Sequence, residues 1–277
     1  MNPVNSALWY IESHLTSDLS LESLAAQVRV SPYYLTRAFN HLSGLSIMRY
    51  VRGRRLSVAA RALADGAPDV LSVALAAGYG SHEAFTRAFR DQFGMTPESV
   101  RSQRHVDNLA LVEPLAMTHQ HLPKLEPPRF EQGKALLLAG IGARYKCDNK
   151  AGIPSQWERF LPYFGHVPDQ VGNTAYGVVY NVDDAGNMEY LCATQVSDFA
   201  RTPPEFSTLR ISPQRYVIFK HREHISTISG TLAAIWGQWM PESGHEAVDA
   251  PLLEVYGPEF DAKSGQGGLE VWVPIKN

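Results

Sequence analysis

Two cysteines, Cys147 and Cys192, are all that 277 residues contain. They are too few for a disulfide framework and lack the spacing of a paired metal motif, so a reducing compartment is the default expectation. No stretch approaches the ~18 apolar residues of a membrane span, and the opening "MNPVNSALWYIESHLTS" has no basic segment leading into an apolar run. These absences argue against a spanning helix and predict a cytoplasmic protein without a membrane partner. Lysine is missing from residues 1–110, which carry 11 Arg and 9 acidic residues; the remainder holds 14 basic and 19 acidic. The net charge of -3 therefore hides a slightly basic, all-arginine first part. Arginine presents a planar fork that suits phosphate oxygens and guanine edges, which lysine cannot match. What is present is 44% apolar residues, enough for a substantial core, and a length that suits two domains better than one.

The tetrapeptide TRAF occurs twice, at Thr36–Phe39 and Thr86–Phe89. Laying residues 21–46 over 71–96 without a gap also matches Leu21 with Leu71, Ala26 with Ala76, Ser31 with Ser81 and Gly44 with Gly94. A unit is used twice. In each copy a short amphipathic segment, beginning near Ser20 in the first and ended by Gly78 in the second, is followed by a turn. A serine then caps a second helix, Ser31 ahead of Pro32 and Ser81 ahead of His82. Each copy reads as a helix-turn-helix. Helical spacing turns Leu35, Ala38, Phe39 and Leu42 inward in one copy, and Phe85, Ala88, Phe89 and Phe93 in the other. The outward sets are Tyr33, Thr36, Arg37 and Asn40, then His82, Glu83, Thr86, Arg87 and Arg90. Between them "SIMRYVRGRRLSVAARALADG" reads as a helix of about 28 Å, long enough to hold two reading faces about one DNA turn apart.

The pattern loosens after Arg104, and the proline-rich "LPKLEPPRFEQG" marks a linker. The expected division is a helical domain over 1–104, a linker and lead-in segment over 105–132, and a second domain over 133–277. That second domain runs twice through strand, helix, strand, strand. "ALLLAGIGARY", "IPSQWERFLPYFG", "AYGVVYN" and "EYLCATQV", with "NVDDAGN" as a hairpin loop, make the first pass. "RYVIFKH", "ISTISGTLAAIWGQWMP", "PLLEVYG" and "LEVWVPI" make the second. Two such halves predict an antiparallel sheet backed by two helices and concave on its other face. The fold class is α+β, with an all-α double helix-turn-helix in front.

The stretches "SPYYLTRAF", "GLSIMRYVRGRRLSVAARAL" and "PDVLSVALAAGYGSHEAFTRAFRDQFGMTPESVR" resemble the DNA-binding domain of the AraC/XylS transcriptional regulators. The later "RYVIFKH", "IWGQWMPESG", "PLLEVYG" and "LEVWVPI" are similar to GyrI-like effector-binding domains, in the expected order. Here DNA binding comes first, whereas most of the AraC family places it last. The resemblance implies transcriptional control, activation included, with double-stranded DNA, a small-molecule effector and RNA polymerase as partners and no cofactor.

Arg37 and Arg87 hold equivalent places and are the expected base readers, each able to fork onto guanine O6 and N7. Tyr33 and Thr36 suit a thymine methyl or a phosphate, Glu83 suits cytosine N4, and His82 suits a base or phosphate. Two reading heads on one chain need no dimer, so a monomer on an asymmetric site is expected. In "PLLEVYG", alternation puts Leu252, Glu254 and Tyr256 on one face and Leu253 and Val255 on the other. The GyrI-like resemblance implies an aromatic pocket around Glu254, for which Trp157, Tyr176, Tyr190, Trp236 and Tyr256 are the candidate walls. A desolvated carboxylate among π faces favours a cationic amphiphile. Because the resemblance extends to hydrolases of strained ring compounds, Glu254 as a general base is the alternative, and a domain used only for protein contacts is a third. Other patterns fail. "GIGARY" has Tyr145 where a dinucleotide loop needs its third glycine, "HEAFT" has Thr86 where a zinc protease needs histidine, and no GxSxG occurs. The histidine pairs His221/His224 and His119/His121 lack a third ligand and read as surface groups rather than a metal site.

Overall fold

The computed structural model describes residues 2–115, 122–183 and 185–277. His119 and His121 lie outside the described residues, as does Asp184 of the expected hairpin loop. The early chain forms α1 (Pro3–Ser13), α2 (Leu21–Val28), α3 (Pro32–Ser43), α4 (Ile47–Ala64), α5 (Val70–Ala76), α6 (His82–Phe93) and α7 (Pro97–Gln103). Beyond the first two residues the chain divides into two compact units, Pro3–Pro32 with Ser46–Thr118, and Tyr33–Leu45 with His119–Asn277. Nearly all of α3 therefore belongs to the second.

In the first unit the helix starts follow from side chains that satisfy otherwise orphaned backbone N–H groups. Ser20 and Ser23 cap reciprocally at α2, each hydroxyl accepting the other's N–H at 3.1 and 3.0 Å. Asp69, Ser81 and Thr96 accept from the N–H groups of Ser72, Ala84 and Ser99. Gly94, at φ +71°, stops α6 in the left-handed region. Leu56, Ala60 and Leu63 of α4, Ala74 of α5 and Phe85 and Phe89 of α6 share one core, against which Ala88 and Phe93 pack in part. Full burial of a phenylalanine stabilises by roughly 1.5–3 kcal/mol.

One polar network lies inside this unit. Arg54 donates from Nε and Nη2 to the two Glu12 carboxylate oxygens, both at 2.9 Å, and from Nη1 to the Val112 carbonyl at 2.6 Å. The Tyr50 hydroxyl donates to Glu12 at 2.6 Å and accepts the Leu115 N–H at 3.0 Å, while Ser57 accepts the Val112 N–H at 2.8 Å. Residues 109–115, expected as part of a linker, are instead strapped along α4. An extended strap has no helical or alternating period, and its backbone groups are satisfied by side chains distant in sequence.

The second unit contains β1 (Arg129–Gly133), β2 (Leu136–Lys146), α8 (Ile153–Phe160), β3 (Gln170–Tyr180), β4 (Asn187–Val196), β5 (Ser207–Ile211), β6 (Gln214–His221), α9 (Ile228–Ala234), β7 (Leu252–Tyr256) and β8 (Leu269–Ile275). All pairings are antiparallel, in one sheet of order β1-β6-β8-β7-β3-β4-β2-β5. The two halves expected from the sequence are present, meeting where β3 pairs with β7 and each ending in a short outer strand. Those outer strands, β1 and β5, were not anticipated, and β1 begins inside the segment read as linker. β1 is largely exposed and shows no apolar alternation, so only its pairing with β6 reveals it, whereas β5 alternates, with Leu209 and Ile211 less exposed than Thr208 and Arg210, but is only five residues long. The helix after β6 is broken by a π turn at Ile235–Trp239. Among the described residues no helix is long and apolar enough to cross a membrane.

Candidate functional site

The pairing of β3 with β7 sets Gly177 opposite Glu254, and the pairing of β4 with β3 sets Tyr190 opposite Val179. By alternation, Leu252, Glu254, Tyr256, Tyr190 and Met188 share one face of the sheet. That is the face covered by helix: Trp157 and Phe160 of α8 pack with Tyr190, Met188 and Cys192. The opposite face carries Leu253, Val255, Val178 and Tyr176. A cavity of about 960 Å³ opens on the helix-covered face, large enough for a drug-sized ligand.

Glu254 is 8% exposed and central to it. The hydroxyls of Tyr190 and Tyr256 both donate to its Oε2, at 2.6 and 2.9 Å. Trp157 Nε1 in turn donates to the Tyr190 hydroxyl at 3.1 Å. The Trp157 and Tyr256 rings meet edge to face at 4.9 Å, and Phe260 meets Tyr256 at 4.7 Å. Burial pushes the Glu254 carboxyl above its ordinary value, against the opposing effects of the two tyrosine hydroxyls and the charge of Lys150. Burial likewise pushes both tyrosines well up, so they act as donors and not as phenolates. The result is a desolvated carboxylate in an aromatic cage, with no ion-pair partner among the described residues.

Trp157, Tyr190, Glu254 and Tyr256 thus come together as expected from the sequence, while two candidate walls do not line the cavity. Tyr176 falls on the other face of the sheet, because one residue along a strand reverses the side. Trp236, fully buried, turns toward α3: its ring stacks on His41 at 6.1 Å and its carbonyl accepts from the Tyr34 hydroxyl at 3.0 Å. Three contributors were missed. Gln156 is fully buried and ties α8 to the sheet, donating to the carbonyls of Ile141 and Tyr190 at 2.7 and 2.9 Å and accepting from Tyr145 at 2.7 Å. Phe260 sits in a loop without periodicity. Gly177 is close-packed, since a methyl group there would overlap the Tyr190 hydroxyl and the Glu254 carboxylate. An isolated glycine inside a strand pattern is the signal that was available. Gly177→Ala is expected to cost about 1–3 kcal/mol through overpacking and to displace the Tyr190–Glu254 contact; an unchanged denaturation midpoint would contradict the geometry.

The DNA-facing candidates divide by copy. On α6, Glu83, Arg87 and Arg90 are exposed, and His82 and Thr86 are half-buried. His82 Nε2 lies 2.9 Å from Glu98 Oε1 and is not a free donor. On α3 the expected outward face is covered: Thr36, Arg37 and Asn40 are only 8%, 5% and 7% exposed. The half-buried Tyr33 donates its hydroxyl to the Ala250 carbonyl at 3.3 Å, and its ring lies 5.3 Å from the Arg37 guanidinium. Helical spacing separates the two faces of α3 but says nothing about a second surface covering the polar one. His221 is also not a surface group: it is 3% exposed, with Nδ1 at 2.8 Å from Thr231 Oγ1 and Nε2 at 3.2 Å from the His224 carbonyl. No metal-binding cluster occurs among the described residues.

Residues 126–276 match the GyrI-like small molecule binding domain. The chain belongs to the GyrI-like family. Residues 24–103 match a helix-turn-helix domain, so this family member joins an AraC-type DNA-binding region to a small-molecule-binding one and is a transcriptional regulator. It is similar to the transcriptional regulator Rob of Salmonella typhimurium, with 26% identity over 99% of this chain and 98% of Rob. It is also 27% identical to the right origin-binding protein of Escherichia coli, over 99% and 98% of the two chains. The HTH-type transcriptional activator AarP of Providencia stuartii is 30% identical over 40% of this chain and 83% of its own. Among solved structures, SAV2435 bound to tetraphenylphosphonium has a TM-score of 0.46 and 18% identity, covering 55% of this chain and 95% of its own.

Proposed function

We propose that one chain of this regulator reads an asymmetric DNA site through α3 and α6 in successive major grooves, and that the cavity around Glu254 takes a cationic amphiphile as effector. The exposed arginines of α6 support the first part. Arg87 is the base reader of this copy, with Arg90 on phosphate, Glu83 facing cytosine N4 and Thr86 beside them on the same helix face. Tyr33, Thr36, Arg37 and Asn40 of α3 read the other half-site once their face is exposed. The name of the similar activator AarP supports activation, with RNA polymerase as the partner contacted. Arg87→Ala is expected to cost roughly 1–3 kcal/mol of DNA affinity and to relax preference in one half-site only. A uniform loss across sequences would make Arg87 a phosphate contact, and protection of a single half-site in a footprint would defeat the two-groove reading.

The observation that carries the second part is the carboxylate of Glu254, buried without an ion-pair partner and ringed by Trp157, Tyr190 and Tyr256. A lipophilic cation supplies the missing charge, and the aromatic faces attract it further. Calorimetric titration of the full chain with tetraphenylphosphonium is expected to give saturable, stoichiometric binding. A product released from a strained ring compound in a Glu254-dependent reaction would instead favour the hydrolase reading.

A further inference from the structure

The second unit holds a cluster of cationic and donor groups, none of which is in an ion pair with Glu254 among the described residues. Arg37 and Asn40 of α3 line the cavity, as do His41 and Lys150. Arg37 Nε and Asn40 Nδ2 are fully enclosed and have no hydrogen-bond partner. Among the described residues, neither Arg37 nor Lys150 lies within ion-pair distance of a carboxylate. The two carboxylates lining the cavity are Glu254, already engaged by two tyrosines, and the exposed Glu158. Burial holds Lys150 below the ordinary lysine value, and burial with the charges of Lys150 and Arg37 holds His41 well down.

An enclosed guanidinium with an idle N–H is costly unless an anion completes it, and an amide three residues along the same helix lies on the same face as a further donor. We propose that Arg37 and Asn40, with Lys150, bind the anionic headgroup of an amphiphile whose tail occupies the apolar part of the cavity, and that this occupant retains α3 in the cavity wall. The proposal rests on the reading of the cavity as an effector site and adds a second pole of opposite charge to it. Its consequence is competition. Arg37 and Asn40 cannot hold a headgroup and reach DNA at once, so by linkage an anionic occupant weakens DNA binding, and DNA weakens the occupant's binding by the same factor.

The test uses the full chain, octanesulfonate as the anionic probe and octyltrimethylammonium as its matched cation, with binding followed by calorimetry. Wild type is expected to bind octanesulfonate saturably, and Arg37→Ala to weaken this by about tenfold or more. Asn40→Asp, which sets a like charge beside the headgroup, should abolish it, and Arg37→Lys should retain part of it. Thermal melts of each variant establish that it is folded. Octanesulfonate should also raise the apparent Kd of wild type for its DNA site by about tenfold. Equal octanesulfonate binding by wild type and folded Arg37→Ala overturns the site, and tight binding that leaves DNA affinity unchanged overturns the competition. In either case Glu254-dependent binding of octyltrimethylammonium would persist if the cation reading is right, so the two failures are distinguishable. Binding of neither probe overturns both.

Discussion

Glu254→Gln is expected to lower affinity for tetraphenylphosphonium by about 30- to 1,000-fold, the effect of removing one partner of a desolvated charge pair worth about 2–4 kcal/mol. The amide oxygen can still accept from Tyr190 and Tyr256, which keeps the cage in place. The pH dependence separates charge from shape. Burial raises the Glu254 carboxyl above its ordinary value, so cation affinity should climb as pH rises through that raised value and be flat in the glutamine variant over the same range. Stability runs the other way. A carboxyl whose pKa is raised by folding binds its proton more tightly in the folded state, so it weakens the fold as pH rises from the ordinary carboxylate value to the raised one. The glutamine variant lacks that loss and should be at least as stable as wild type at neutral pH. Undiminished cation binding in a folded Glu254→Gln protein would refute the carboxylate's role.

The second large effect lies far from the ligand. Arg54→Ala should cost about 3 kcal/mol, since it leaves the Glu12 carboxylate and the Val112 carbonyl without their donor. Against a total of about 5–15 kcal/mol this is substantial. The buried Arg54 and the quarter-exposed Glu12 side chain, 5% and 26% exposed, place the cost near the lower end for a buried pair. Burial opposes the Glu12 charge, but hydrogen bonds from Arg54 and Tyr50 hold its carboxyl below the ordinary value. This contribution is therefore complete above the ordinary carboxylate range and disappears as pH falls through the lowered value. A double-mutant cycle with Glu12→Gln, read by denaturant midpoints, should show coupling. Strict additivity would mean that Arg54 acts only by packing.

Much of this molecule was legible because its information is local. The helix start near Ser20, the Ser81 cap, the helix end at Gly78 and the inward Phe85 and Phe89 each depend on neighbours within a turn or two. The alternation in "PLLEVYG" likewise put Glu254 and Tyr256 together on one face. Trp157 and Tyr190 line the cavity and Tyr176 does not, since choosing among aromatics on different strands requires the register between strands. The outer strand β1 and the strap at residues 109–115 carry no period of their own, and only their partners define them.

The sequence by itself determined the duplicated helix-turn-helix unit, the two strand-helix-strand-strand passes and the carboxylate on an aromatic-bearing strand, because helix and strand periods sort side chains onto faces within one element. The tertiary structure alone decided which faces are covered. It closed Tyr190, Trp157 and Gly177 around Glu254, turned Trp236 away, and buried the polar face of α3 with Arg37 Nε and Asn40 Nδ2 lacking a hydrogen-bond partner. The physical reason is that burial of an amphipathic helix's polar face depends on a surface contributed by residues some 200 positions away, such as Trp236 and Ala250, with the hydrogen bonds Tyr34–Trp236 and Tyr33–Ala250 spanning 202 and 217 residues.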